Sequence, residues 1–273
     1  MNKSKLYTVF LVGILVVGLS LLLYPSFSEY WNSVHQTQAI ASYLDMVDHL
    51  GEEDYSEIWD SASDYNMELL NRDVTFVLTE EQKQQYNALL NLTNSGIMGY
   101  IEIPSINVHL PLYHSTEESV LQKAVGHLDW TSLPVGGPST HSVFSGHRGL
   151  PSARLFTDLD QLAVGDFFML HILDETLTYE VDRIRIVLPD ETDDLLIQKG
   201  KDLCTLFTCT PYGINSHRLL VRGHRVENLA EAQVVRVTAD AMIVEKLVVA
   251  PFVLLPILFV MFIWLLITTR RRK

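Results

Sequence analysis

Two long apolar runs, one near each end of the chain, restrict how everything between them can be arranged. Residues 6–24 carry no charge and are almost all apolar, and residues 247–269 form a second uncharged run. As a helix the first run would be about 28 Å long, which matches the ~30 Å hydrocarbon core of a bilayer. The sequence therefore predicts a transmembrane helix at each end of the chain.

Basic residues flank both runs on the side of the chain termini. Lys3 and Lys5 precede the first run, and residues 270–273 follow the second. Because cytoplasmic flanks are rich in Lys and Arg, both termini are expected in the cytoplasm and the intervening segment outside the cell. A cleaved signal peptide is the alternative for the first run, but the run is longer than the ~7–15 apolar residues usual there, which favours an uncleaved anchor. A buried helix is the alternative for the second, and its length and basic tail argue against it.

The segment between the two runs is acidic. It holds all 33 Asp and Glu residues but only 14 of the 20 Lys and Arg residues, so it is more acidic than the whole-chain net charge of −13. Proteins that bind nucleic acid use basic clusters on the phosphates, and this composition argues against that class. An acidic exterior favours solubility and can attract a substrate that presents lysine.

The two cysteines lie in one strand-like run and are not expected to pair. Cys204 and Cys209 are five residues apart. On one extended strand that spacing puts them on opposite faces and roughly 16 Å apart, whereas a disulfide needs Cα atoms within about 7 Å. The sequence predicts a free thiol at Cys209 and a small buried apolar residue at Cys204.

A thiol and a guanidinium are predicted to meet near one turn. An apolar, β-type run at 203–208 leads to Cys209, a turn at 211–215 follows, and a second strand-like run begins with Arg218. Cysteine is the side chain most readily made nucleophilic near neutral pH. Arginine is a permanent charge with a fork of donors that can hold an oxyanion or a carbonyl.

A candidate base lies upstream of this pair. The stretch 142–146 is a strand candidate that runs into His147, with Gly146 and Gly149 beside it. These small residues are expected to leave room for a substrate to approach the imidazole. With the thiol and the guanidinium, the imidazole supplies the base that the pair lacks, so that all three groups could act on one substrate.

Other histidines and arginines are expected to be structural. His141 and His147 suggest a metal pair only weakly, because no carboxylate or second cysteine has the spacing of a metal site, so no metal or other cofactor is expected. His217 is next to Arg218 and on a strand would face the other way. Arg222 shares the face of Arg218 but lies ~13 Å further along, and is expected to be a surface or salt-bridge residue.

Hydrophobic spacing divides the segment between the runs into a helical part and a β part. Helical spacing over 30–50 and 55–70 predicts two amphipathic helices, and Thr79 to Gln82 is a capping box that opens a third. From Gly99 the period changes to two, which predicts a mainly β sandwich or barrel. The strand candidates are 99–103, 108–112, 142–145, 166–173, 176–188, 203–209 and 219–226. Short helical or turn connections are expected at 155–162 and 194–198, and an added strand within 227–245.

Several stretches resemble the sortases, the cysteine transpeptidases of Gram-positive bacteria. Residues 205–209, TLFTC, match the TLxTC signature, and the blocks 131–162 and 208–225 are similar to the class C, pilin-assembling branch. The likeness covers roughly 96–226, which is far more specific than one short motif. It implies a closed eight-stranded β-barrel with N-terminal helices. With the two spans, the predicted organisation is cytoplasmic tails at 1–5 and 270–273, transmembrane helices at 6–24 and 247–269, a helical and lid region at 25–95, a catalytic barrel at 96–228 and a connector at 229–246.

The resemblance also implies roles for individual residues. Cys209 would be the acylated nucleophile, His147 the proton donor and acceptor, and Arg218 the residue that stabilises the oxyanion. Thr208 and Thr210 would contact the substrate. The implied reaction cleaves an LPxTG-like sorting signal through a thioester and transfers the acyl group to an amine, for class C relatives a lysine of another pilin.

Class C relatives carry a lid ahead of the barrel, usually with an Asp-Pro-aromatic motif that enters the active site. This sequence lacks the motif. The nearest match by position is residues 73–76, so Asp73 and Phe76 are the candidate lid residues. A plain linker between helices is the alternative.

Other functions share the same residues. A membrane-tethered cysteine peptidase that only hydrolyses, an enzyme that anchors surface proteins to the cell wall, and an inactive adhesin built on a barrel are the alternatives. Sortase substrates also end in an apolar run and a basic tail, but no Leu-Pro pair here is followed by Thr-Gly at the required positions. The chain is therefore expected to be the enzyme rather than its substrate.

Overall fold

A single long helix opens the chain in the computed structural model, which describes residues 3–72, 75–92 and 94–228. Helix α1 (Lys3–Asp48) runs through Pro25, so the predicted span and the first amphipathic helix are one continuous element. Its stretch Phe10–Asp48 is long and apolar enough to cross a membrane. The predicted second span, the connector with its added strand and the basic C-terminal tail lie outside the described residues.

Two further helices precede the barrel. Helix α2 (Glu52–Leu70) matches the predicted second amphipathic helix, and α3 (Glu80–Ala88) begins at the predicted capping box, in which the Gln82 amide donates to Thr79 Oγ1 and the Thr79 amide donates to Gln82 Oε1. The helices pack on the barrel through buried aromatic rings. Tyr43 of α1, for example, donates from its hydroxyl to the Met98 carbonyl at 3.1 Å.

Eight strands form a closed barrel in the order β1-β2-β3-β4-β7-β8-β6-β5. The sequence left a sandwich open as an alternative, and the barrel is the one observed. A short helix, α4 (Glu118–Leu121), lies between β2 and β3, and single 3₁₀ turns occupy Pro104–Ile106, Leu159–Gln161 and Asp193–Leu195. The strands are β1 (Ile97–Ile103), β2 (Val108–His114), β3 (Val125–His127), β4 (Thr140–Ser145), β5 (Phe167–Ile172), β6 (Glu175–Val187), β7 (Asp202–Thr210) and β8 (His217–Arg225).

Strand β7 has β4 on one side and β8 on the other. It pairs in parallel with β4 and antiparallel with β8. The ends of β4 and β7 therefore lie at the same rim of the barrel, where β8 begins. All three predicted catalytic residues are in segments that reach this rim.

The two faces of these strands carry separate apolar clusters. Residues that point inward, such as Phe144 and Cys204, belong to the main core. Strand residues of opposite parity, with residues from neighbouring loops, form a second, mostly buried cluster on the outer face. We call it the outer apolar patch: Leu128, Trp130, Val143, Val187, Leu195, Phe207 and Leu220, of which Trp130 and Phe207 are partly accessible. Both cysteines are free, as expected, and burial raises the pKa of the Cys204 thiol well above its usual value.

Candidate active site

Cys209 and Arg218 lie directly opposite each other across the β7–β8 hairpin. They are partners in its antiparallel register, so their Cα atoms are about 4.5–5.5 Å apart and their side chains share one face. Both side chains are half-buried at the rim, next to the turn that joins the two strands. The proximity predicted from the sequence is confirmed.

Backbone carbonyls hold the Arg218 guanidinium. Its Nη1 donates to the carbonyl of Asn215 at 3.2 Å and to that of His217 at 3.1 Å. Within the described part of the chain its other two nitrogens have no protein partner. These two nitrogens can therefore donate hydrogen bonds to a substrate oxygen beside the sulfur.

His147 lies just past the end of β4, on the other side of β7. Ser145 pairs with Phe207 in the parallel register, and the Gly146 amide donates to the Phe207 carbonyl at 3.2 Å. Extending this register by two residues places His147 beside Cys209 on a strand about 4.8 Å away. The imidazole, on the segment that follows β4, therefore lies at the same rim as the thiol of β7 and the guanidinium of β8.

The His147 ring has a carboxylate neighbour that the sequence analysis missed. Its Nε2 lies 3.4 Å from Oε2 of Glu118, at the start of α4, and the ring is 28 % exposed. No sequence signal marks Glu118 as part of the site, because its residue type and spacing match no motif. Only the fold brings α4 to the end of β4.

The glycines around His147 do not make room for a substrate, and that expectation is wrong. A Cβ on Gly146 would lie 2.6 Å from the buried ring of Phe156, and one on Gly149, whose φ is +75°, would lie 2.7 Å from the ring of Tyr212. Each glycine instead lets an aromatic ring pack against the backbone that carries the imidazole. The rings thereby fix the position of this segment.

Replacing Gly146 with alanine is expected to destabilise the barrel by about 1–3 kcal/mol, because the new methyl group overlaps the Phe156 ring. Chemical denaturation of the purified chain measures this change. The double variant Gly146→Ala, Phe156→Leu should recover part of the loss, since leucine vacates the overlapped space. Equal stability of Gly146→Ala and wild type would contradict the packing described here.

Thr208 and Thr210 are on the face of β7 opposite Cys209. Thr208 is 1 % exposed and its hydroxyl donates to the Gly146 carbonyl at 2.7 Å. Thr210 is 7 % exposed and its hydroxyl accepts from Nη1 of Arg148 at 3.5 Å. Their side chains join β7 to the segment that carries His147, so a contact with substrate would come from their backbone. Their predicted role in substrate binding stays a prediction.

Arg148, which the sequence analysis left unassigned, joins two loops at the rim. Its guanidinium forms an ion pair with Asp160 and lies 5.9 Å from the centre of the Tyr212 ring. With its bond to Thr210, it ties the loop after His147 to the turn after Cys209. Arg148 is therefore a structural neighbour of the site.

The outer apolar patch continues from Cys209 along the outer face of β4 and β7. Phe207 is two residues before Cys209 and shares its face, and Trp130 packs against the same patch. The Phe76 ring contacts Trp130 edge to face at 5.0 Å between centroids. Thus one predicted lid residue covers part of the patch, while Asp73 lies outside the described residues.

His141, the other histidine considered for a metal pair, is held by structural contacts. His141 is buried between the Leu196 carbonyl (3.0 Å) and the Thr205 hydroxyl (2.8 Å), and burial lowers its pKa to about 4. Arg222 forms a bidentate ion pair with Asp182 at 2.8 and 2.9 Å, so its predicted role as a salt-bridge residue is confirmed. Among the described residues no cluster of three or more His, Cys, Asp or Glu could hold a metal ion.

Comparison with known proteins connects this geometry to one family. The family model "Sortase domain" matches residues 101–226. Sortase D of Bacillus subtilis is 33 % identical over 131 residues, which is 47 % of this chain and 63 % of that protein, so the match spans less than two thirds of this relative.

Solved structures cover more of the chain. Sortase C1 of Streptococcus agalactiae is 55 % identical, covers 70 % of this chain and 100 % of its own, and has a TM-score of 0.69. A sortase C of Streptococcus pneumoniae, described for its catalysis and pilin substrate specificity, is 42 % identical over 71 % and 98 % of the two chains, with a TM-score of 0.64. Clostridium perfringens sortase C with a C-terminal cell wall sorting motif is 44 % identical over 70 % and 100 %, with a TM-score of 0.63.

Proposed function

The chain belongs to the sortase family of cysteine transpeptidases, and on this premise we propose that it joins pilin subunits. In this proposal it cleaves an LPxTG-like sorting signal through a thioester on Cys209 and transfers the acyl group to a lysine of another subunit. The register that sets Cys209 opposite Arg218, with His147 just past the end of the adjoining strand β4, carries the proposal. The likeness to sortase C structures, one with a sorting motif, supports the substrate class.

Acylation uses all three side chains. The thiolate of Cys209 attacks the carbonyl carbon of the threonine in the signal, and the carbonyl oxygen becomes an oxyanion. Arg218, with backbone N–H groups near Thr210, stabilises that charge. The bond from carbon to the glycine nitrogen then breaks, and His147 gives a proton to the departing amine. A thioester on Cys209 remains.

Deacylation reverses the proton transfer. A lysine amine attacks the thioester carbon while His147 accepts a proton from it, and the oxyanion forms again beside Arg218. Its collapse breaks the bond to sulfur and returns the thiolate. The products are an isopeptide bond and the starting enzyme, so the cycle needs no cofactor.

The accessible edge of the outer apolar patch is the proposed seat of the signal's apolar residues. This edge consists of Phe207 and Trp130, which are partly buried, while the other members of the patch are buried beneath them. Because Phe207 is beside the sulfur, an extended peptide can contact this edge while its threonine carbonyl reaches Cys209. The sulfur itself lies at the end of the strand and is half-buried, which leaves it open to the acceptor amine.

A lid role for Phe76 is also part of the proposal. Its ring is 50 % exposed and covers Trp130. Phe76→Ala is expected to raise kcat/KM for a signal peptide about threefold, because an exposed aromatic pair contributes roughly 0.5–1.5 kcal/mol. The control is Val77→Ala, at a neighbouring side chain that is 82 % exposed. A rate equal to that of the control would favour the plain linker instead.

The arrangement of the chain in the membrane is a further part of the proposal. Helix α1 would anchor the chain as an uncleaved span, residues 247–269 would form the second span, and the helical region and barrel would lie outside the cell. The apolar stretch of α1 supports the first span. Labelling of intact cells with an impermeant reagent, at a cysteine placed beyond residue 269, tests whether the C-terminus is inside.

The reaction is tested with the full chain in detergent and a peptide that ends in an LPxTG-like signal. Incubation with and without a lysine-bearing pilin fragment, followed by mass spectrometry, separates the outcomes. A peptide–lysine conjugate is expected. Hydrolysis alone, despite excess lysine acceptor, would support the peptidase alternative, and a product formed only with a cell-wall peptide amine would support wall anchoring.

A further inference from the structure

Helix α4 carries an acidic side chain against the proposed base. Oε2 of Glu118 is 3.4 Å from Nε2 of His147, an ion-pair distance. The backbone of His147 is held independently, since its carbonyl accepts from the Phe156 amide at 3.1 Å. The position of the carboxylate therefore affects the orientation of the ring and determines which ring nitrogen carries the proton.

The Glu118 carboxylate is itself held in place. The side-chain amide of Gln122, one turn later, donates to Oε1 and leaves Oε2 for the imidazole. The end of α4 is tied to α1, because Gln36 donates to the Lys123 carbonyl at 2.7 Å. The Gln122 amide, and then His147, hold the pKa of Glu118 below its usual value, so the carboxylate is an acceptor near neutral pH.

An acceptor at Nε2 selects one form of the neutral ring. A carboxylate has no proton to give, so the nitrogen that faces it carries the hydrogen and the other nitrogen keeps its lone pair. We propose that Glu118 is a positioning residue for His147, holding the Nε2–H tautomer so that Nδ1 exchanges the proton with substrate. This inference rests on the proposed function for its kinetic part only.

Two arginines lie near His147, and neither is placed to act as an acceptor for the ring. Arg148 in the following loop is paired with Asp160, and Arg218 on β8 is on the far side of Cys209 on β7. Among described residues, Glu118 supplies the carboxylate within ion-pair reach of the ring. Glu118 is therefore the side chain that can select the tautomer of the imidazole.

The tautomer is measured by NMR on the full chain with ¹⁵N-labelled histidine in detergent micelles. His147→Gln assigns the signal of His147. In wild type the neutral ring is expected to show an Nε2–H pattern, and in Glu118→Gln a mixture of both tautomers. Glu117→Gln is the matched control, since Glu117 is the preceding residue and contacts Lys83 at 3.7 Å. An unchanged His147 spectrum in Glu118→Gln would overturn the inference.

Kinetics give the second readout. Glu118→Gln is expected to lower kcat/KM about 3- to 10-fold, mainly through kcat, because the ring loses the carboxylate that holds its tautomer. Glu118→Asp keeps the carboxylate and should restore kcat in part. Equal losses of kcat in Glu118→Gln and Glu117→Gln would mean a general charge effect and would overturn the inference. If wild type forms no product, the proposed function fails while the NMR result still decides the pairing.

Discussion

Cys209→Ala is expected to abolish both thioester formation and peptide–lysine product, a loss of at least about 1000-fold, because the chain's other thiol, Cys204, is buried in the core and cannot take its place. Mass spectrometry of the full chain, incubated with signal peptide and quenched in acid, detects the acyl-enzyme. Wild type should gain the mass of the cleaved peptide, and the variant should stay unchanged. Arg218 and His147 remain in place in this variant, so the loss isolates the sulfur.

The second cysteine provides the matched control for that experiment. Cys204 lies on the inner face of the same strand and is fully buried. Cys204→Ala should keep the acyl-enzyme and most of the activity, with a modest loss of stability from the smaller side chain. Acylation that persists in Cys209→Ala, or disappears in Cys204→Ala while the barrel stays folded, would contradict the assignment of the nucleophile.

Arg218→Ala is expected to lower kcat about 100- to 1000-fold, the usual cost of removing an oxyanion donor. Arg218 lies opposite Cys209 across the hairpin, and in the proposed mechanism its guanidinium donates to the carbonyl oxygen on which charge develops. Arg218→Lys should recover only part of the loss, because an ammonium keeps the charge but lacks the planar fork of donors. Steady-state kinetics with a signal peptide separate kcat from KM.

Arg222 is the control for Arg218. It lies on the same face of β8 and is engaged with Asp182, ~13 Å further along the strand. Arg222→Lys should leave kcat within about twofold of wild type, because the part-buried Arg222–Asp182 pair is distant from the sulfur; its loss of bidentate hydrogen bonds lowers stability instead. A change in KM with kcat unaffected in Arg218→Ala would mean that the arginine binds the ground state instead of the transition state.

The sequence was most informative where a strand's alternation decides the geometry. The spacing of Cys204 and Cys209 separated their faces, and the short turn before Arg218 fixed the hairpin that brings it opposite the sulfur. Both results depend on local chain geometry alone. The capping box at Thr79 is of the same kind, since its partners are three residues apart.

Features built from distant segments could not be read in this way. The outer apolar patch collects residues from loops and strands between Leu128 and Leu220, and no periodicity links them. Strand β3 is only three residues long, too short to show alternation. Gly146 was misread because the sequence does not show that the Phe156 ring fills the space beside it.

The parallel pairing of β4 and β7 has a consequence for how the site assembles during folding. Parallel strands cannot be joined by a tight turn, and here β5 and β6 intervene before the strand that bears the sulfur. His147 and Cys209 can therefore approach each other only when β7 pairs with β4. A folding intermediate in which β7 is still unpaired has both groups but not the site, so the thiol and the imidazole are brought together by closure of the barrel itself.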